Sequence, residues 1–168
     1  YDTYVINYES LHKIPEQKWD IIICDEAHSM GAFAPPSNRA KQVKALIARN
    51  SCDMILLSGT PTPESFSQIY HQVYGHPNNP FAHYKNFYRW ADDYVKIKQR
   101  KIAGNYINDY SHAIEGKVLE AMKPYTISYT QKEAGFESAV EEEVLYVPMD
   151  HLTYKMCSML RQDNLVQG

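Results

Sequence analysis

The sequence has no apolar stretch approaching the length of a membrane-spanning helix, and it opens without a signal-peptide pattern, so no membrane partner is expected. Cysteine is scarce, at three of 168 residues. The number is odd, and Cys24 and Cys52 lie in or beside apolar segments. That argues for reduced thiols and a cytoplasmic setting, and against a disulfide scaffold. Excess charge of one sign is also missing: the formal net charge is −3. A globally basic nucleic-acid binder is thereby excluded, and any such contact has to be a local patch. Histidine is not scarce, but its spacing lacks a metal-ligand pattern. His71 and His76 stand five apart with no cysteine pair, so no structural zinc is expected. There is no internal repeat and no low-complexity tract. What remains, 44% hydrophobic and 22% charged, describes a soluble globular chain long enough for one real core.

What is present centres on Ile21-Ile22-Ile23-Cys24-Asp25-Glu26-Ala27-His28. Four apolar residues stop at two carboxylates, a small residue and a histidine. The run reads as a short strand buried on both faces, of the kind parallel sheets use. Acids at the carboxyl end of such a strand lie where open α/β folds bind ligands. A second apolar run, Met54-Ile55-Leu56-Leu57, ends in Ser58-Gly59-Thr60-Pro61. Between the two, Ser37 is expected to cap a helix reaching about Arg49, with Ala40, Val43, Leu46 and Ile47 on its inner face. This is a crossover of βαβ length, so the two strands should be parallel and their ends together.

The remaining chain reads as follows. Residues 3–8 are β-rich and suggest a first strand. A helix is expected over 64–74, with Phe66, Ile69, Tyr70 and Val73 on one face. An aromatic helix follows over 81–94. A small hairpin turns at Gly104-Asn105, and a helix covers 111–122 with Ile114, Val118, Leu119 and Met122 as its stripe. Short strands are expected at 126–130 and 143–147. A last helix, 150–161, is expected to bury Met149, Leu152, Met156, Met159 and Leu160. The expected fold class is α/β, a parallel sheet carrying a helical and hairpin insertion. The expected divisions are 1–80, 81–125 and 126–168.

Phosphoryl transfer needs a divalent cation, a positioned water and a phosphate cradle. Asp25, the first residue after the strand, suits magnesium. Glu26 suits the water, which it can orient or deprotonate. His28 can bridge to Ser58, Gly59 and Thr60 at the neighbouring strand end. The plain alternatives are a solvated acidic turn at 25–26 and a helix-capping turn at 58–61. The co-occurrence of the two strand ends favours a site. Lys96, Lys98, Arg100 and Lys101 read equally as phosphate contacts flanked by stacking tyrosines or as a solvated hairpin face.

Asp25-Glu26-Ala27-His28 resembles motif II of superfamily 2 helicases and translocases, the DEAH-box form, and Ser58-Gly59-Thr60-Pro61 resembles their motif III. The segment from Val5 to Leu11 and the pair Trp19-Asp20 are similar to the Swi/Snf-like branch, the phage or prophage type being the nearest likeness. The resemblance implies part of the first RecA-like lobe, a P-loop NTPase fold, of a motor that couples ATP hydrolysis to movement on DNA, double-stranded by expectation. It implies ATP and magnesium as cofactors. Asp25 would hold magnesium and Glu26 would be the catalytic base. His28 would couple to Ser58 and Thr60, with Gly59 beside the nucleotide. Tyr8, Glu9 and Ser10 would lie near the nucleic-acid track.

The departures are specific. No Gly-x-x-x-x-Gly-Lys-Ser/Thr loop occurs: Gly116-Lys117 is followed by Val118 and lacks the upstream glycine. The phosphate loop is therefore expected before residue 1, and the arginine finger in a second RecA-like lobe. Ser128-Tyr129-Thr130 stands where the family carries paired arginines. This chain alone is expected to be inactive as an ATPase. Two other readings stay open: a non-hydrolysing nucleic-acid or protein interaction module on a motor fold, and a different phosphohydrolase on the same kind of sheet.

Overall fold

A computed structural model describes residues 3–102, 105–129, 133–135, 146 and 148–163. Two strands form the platform of the site. The β-branched run Ile21–Cys24 is β1, and Asp53–Leu56 is β2. They pair in parallel, Ile21 opposite Asp53 and Cys24 opposite Leu56. The ladder continues past the strand ends: Leu57 N–H donates to Cys24 O and Ala27 N–H donates to Leu57 O, both at 2.9 Å. The crossover between them is α1, Asn38–Asn50, as its apolar spacing requires. Ser37 starts α1, its hydroxyl accepting from Ala40 N–H at 3.1 Å and donating to Met30 O at 2.8 Å. Ala40, Val43, Leu46 and Ile47 are all buried. Asn50, also buried, accepts from Trp19 N–H at 3.1 Å and so ties the end of α1 to the approach of β1.

The sheet is covered on one face only. Ile22, Cys24, Met54 and Leu56 pack with α1 and with Ala27, Met30 and Cys52. Ile21, Ile23, Ile55 and Leu57 are exposed, Ile23 at 62%. The expectation of a strand buried on both faces is corrected here: alternation puts every second side chain on the open face. Cys24, Cys52 and Cys157 are free thiols, and burial pushes that of Cys24 up to about 11.

A second core is aromatic. Ile69–Val73 (α2) follows a 3-10 turn, Phe66–Gln68, and buries Ile69, Tyr70 and Val73. Phe87–Tyr94 is α3. Trp90 stacks on Tyr94 at 5.2 Å, and Tyr70, Phe81 and Phe87 surround it. The expected aromatic helix over 81–94 is thus shorter. Asn86 accepts from Arg89 N–H at 3.1 Å, so its side chain begins the helix, and Phe81 enters the core from a turn. The hairpin forms as Lys98–Ile102 (β3) against Asn105–Asp109 (β4), antiparallel. Its turn at 103–104 lies outside the described residues. Glu115–Met122 is α4; Val118 is fully buried while Leu119 is half-exposed, so the stripe is narrower than expected.

Two further expectations change, and a third is not covered by the described residues. Tyr8–Lys13 forms a 3-10 helix, and the segment before it joins no strand, because Asn7 caps the turn by accepting from Ser10 N–H at 2.8 Å. Residues 126–129 form no ladder, and Ile127 and Tyr129 are exposed. The strand expected at 143–147 lies outside the described residues except for Tyr146.

The chain divides into two compact units, Tyr1–Ile127 and Ser128–Gly168. The second contains α5, His151–Asp163, capped by Asp150, whose carboxylate accepts from Leu152 N–H at 2.9 Å and Thr153 N–H at 3.0 Å. The Thr153 hydroxyl and these amides hold the Asp150 carboxyl below its usual range. Met149, Leu152 and Met156 are exposed rather than buried; the side chains of 159 and 160 lie outside the described set. Among the described residues, no helix is long and apolar enough to cross a membrane.

Candidate active site

Parallel pairing brings the two strand ends together, as the crossover length requires. Asp25 leaves β1, and its own Oδ1 accepts from Glu26 N–H at 3.0 Å. That bond orients the carboxylate and leaves Oδ2 free of it. Behind Asp25, the Tyr8 hydroxyl donates to the Asp25 backbone carbonyl at 2.7 Å. Burial, and then the neighbouring Cys24, push the Tyr8 phenol above its usual range, so it stays a donor.

Glu26 sits in the left-handed region, φ 47 and ψ 47. For a non-glycine residue this conformation costs about 1–2 kcal/mol. Two neighbours enforce it: Ala27 N–H is committed to Leu57 O, and Ser29 N–H closes a tight turn on Glu26 O. The turn aims His28 across the sheet. Its Nδ1 lies 3.0 Å from Ser58 Oγ and 3.2 Å from Glu26 Oε2. A proton on Nδ1 satisfies both acceptors, an assignment made from the partners. Ser58 Oγ also accepts from Thr60 N–H at 3.2 Å. Glu26, His28, Ser58 and Thr60 therefore form one connected group.

Asp25 and Glu26 are exposed, and a Cβ added at Gly59 would meet nothing within 4 Å. The rim is open to an approaching ligand. Its donor set is hard oxygen: two carboxylates and a hydroxyl. Among the described residues no cluster of three His, Cys, Asp or Glu assembles for a metal. Magnesium does not need one, since it takes one or two carboxylates and completes its shell with water and phosphate oxygens. Asp25 Oδ2 fits such a contact.

The remaining expected site residues make contacts of their own. Tyr8 is committed to Asp25, and Ser10 to the Asn7 cap. Glu9 is ion-paired with Arg39, whose guanidinium lies 5.5 Å from the Tyr8 ring centre and holds the Glu9 carboxyl below its usual range. Lys98, Arg100 and Lys101 stand on β3, with Lys96 just before it.

Sequence reasoning missed a polar layer under the site. Ser65, Ser67, Gln68 and Gln72 are all buried. Gln72 Nε2 donates to Pro61 O at 2.6 Å, and Gln68 Oε1 accepts from Ser65 N–H at 3.3 Å in a capping box. Gly31, which ends the turn carrying His28, lies against both glutamines: a Cβ there would come within 2.9 Å of Gln68 Cβ and 3.1 Å of Gln72 Nε2. The Ser65-x-x-Gln68 spacing was the available signal.

The SNF2-related domain matches residues 1–167. The chain belongs to the SNF2-related domain family. A curated relative, "Helicase SWR1" of Candida glabrata, is 25% identical over 136 residues, covering 74% of this chain and 9% of that protein. The chain thus spans about a tenth of that relative's length. No solved structure matches. The mixed helix and strand architecture with a parallel pair is compatible with part of a RecA-like lobe.

Proposed function

We propose that this SNF2-related chain carries half of the ATP-hydrolysing site of a DNA helicase or translocase of the DEAH-box kind. The observation that carries the reading is the connected group at the two strand ends, with His28 Nδ1 between Glu26 and Ser58. Asp25 holds magnesium, which would neutralise phosphate charge when bound. Glu26 orients the attacking water and takes its proton. His28 passes the position of Glu26 to Ser58 and Thr60, so that hydrolysis alters the second strand end and the segment after it. Gly59 leaves room for the nucleotide. Tyr8 fixes the backbone of Asp25, with Glu9 and Ser10 beside it toward the nucleic-acid track. Double-stranded DNA is the proposed track, and three free thiols suit a reducing, cytoplasmic setting.

The open sheet face, Ile21, Ile23, Ile55 and Leu57, supports a further part of this reading. Parallel sheets are ordinarily covered on both faces. We infer that the longer protein supplies a phosphate-loop segment that packs here, and a second lobe that completes the site. The test is ATP hydrolysis with and without DNA, measured on this chain and on the longer protein. The expected result is no turnover by the chain and DNA-stimulated turnover by the longer protein. Turnover by the chain alone, lost in Glu26→Gln, would show a complete site and refute the division. Tight nucleic-acid binding with no turnover in the longer protein would instead identify a non-hydrolysing interaction module.

A further inference from the structure

The β3–β4 hairpin projects as an exposed ribbon, yet its base is firmly held. Val95 bridges Ala113, and Lys96 N–H donates to His112 O at 2.9 Å. Two buried hydroxyls grip the strand leaving β4: Ser65 Oγ donates to Ser111 O at 2.6 Å and Ser67 Oγ to Tyr110 O at 2.5 Å. Asp109 binds Arg100 Nε at 2.7 Å and accepts from Ser111 N–H at 3.0 Å. A solvated loop needs no such anchoring.

The register sorts the side chains. Gln99 faces Asn108 and Lys101 faces Tyr106 across the ladder, so these four share one face. Tyr106 is 69% exposed. Lys101 Nζ lies 5.9 Å from its ring centre, the outer limit of a cation–π contact. Gln99 Nε2 donates to Asn108 Oδ1 at 3.4 Å, a long bond that a better partner displaces. Of the four basic residues within positions 96–101, Lys101 lies on this face, while Lys98 and Arg100 alternate to the other, where Arg100 is paired with Asp109. Lys101 supplies a phosphate contact; the exposed ring beside it and the two amides supply a stack and hydrogen bonds to a base edge. Phosphates alone would need no ring.

We propose that the hairpin face of Gln99, Lys101, Tyr106 and Asn108 binds an unpaired nucleic-acid strand, with a base stacked on Tyr106 and a phosphate on Lys101. This rests on the motor reading only for the class of ligand. The face grips an unpaired strand separately from the duplex track. Through Ser65 and Ser67 its base is joined to the polar layer that holds Pro61, so the grip shares a support with the site.

The experiment is fluorescence anisotropy of labelled oligo(dT), oligo(U) and a duplex of equal length with the 168-residue chain, without nucleotide. The proposal expects tighter binding of single strands than of duplex. Tyr106→Ala should weaken oligo(dT) about tenfold or more while Tyr106→Phe retains it. Lys101→Gln should lower the slope of log K against log salt by about 0.7. Tighter binding of oligo(U), with the same loss in Tyr106→Ala, supports the face and assigns RNA to it. Duplex binding equal to single-strand binding, with Tyr106→Ala unchanged, overturns the proposal, as does no binding of any probe at low salt. If Glu26→Gln leaves turnover of the longer protein intact while Tyr106→Ala still loses oligo(dT), the motor reading fails and the hairpin stands.

Discussion

Gly31→Ala tests the packing that sets His28. Gly31 has φ −60 and ψ 134, a conformation any residue adopts, so the substitution brings no backbone strain. Two effects of opposite sign remain. Alanine restricts the unfolded chain and stabilises by about 0.4–1 kcal/mol where the native site accepts it. Here the new methyl would stand 2.9 Å from Gln68 Cβ and 2.9 Å from the His28 carbonyl. Neither is the tip of a flexible side chain, and Gln68 is itself held in a capping box. Overpacking of this kind costs about 1–3 kcal/mol. The clash wins, for a net loss of about 1–2 kcal/mol. Gly59→Ala is the control, because nothing lies within 4 Å of its Cβ and its φ is not positive. It should be neutral or gain up to about 1 kcal/mol. Urea unfolding of the two variants should differ in midpoint by about 1 M, given slopes of about 1–3 kcal/mol/M. A Gly31→Ala variant as stable as Gly59→Ala would refute the account of how the turn packs on Gln68 and Gln72.

Two other variants probe the scaffold. Ser37→Ala removes the α1 cap and the bond to Met30 O, and should cost about 1–2 kcal/mol in the same assay, whereas the exposed Ser51→Ala should not exceed it. His71 stacks on Phe87 at 5.3 Å, its Nε2 lies 3.1 Å from Ala34 O, and burial lowers its pKa below 6.5. The unfolded chain therefore takes that proton first. The contribution is fully present above pH 6.5 and is lost as the pH falls through the folded value. His71→Phe should flatten this part of the stability profile, and an unchanged profile would remove His71 as its source.

What was legible in the sequence was local and periodic. The β1–α1–β2 unit follows from two apolar runs, a serine cap and one helical stripe. The two strand ends could be placed together from crossover length alone. The expectations that failed did so where side chains competed with propensity. Asn7 and Asn86 cap turns that β-rich or aromatic composition concealed. Ile21 and Ile23 face outward because strand alternation sends every second side chain to the face that this chain leaves uncovered. The buried layer of Ser65, Ser67, Gln68 and Gln72 had no hydrophobic signature at all, since its burial depends on hydrogen bonds to distant carbonyls.

The central claim is that Glu26 acts on water at a site coupled to DNA through His28. The most direct measurement is DNA-stimulated ATP turnover of the longer protein, comparing wild type with Glu26→Gln under saturating ATP. The account predicts a fall of about 10²- to 10⁴-fold in turnover with nucleotide binding retained. Turnover in Glu26→Gln at the wild-type rate would contradict it.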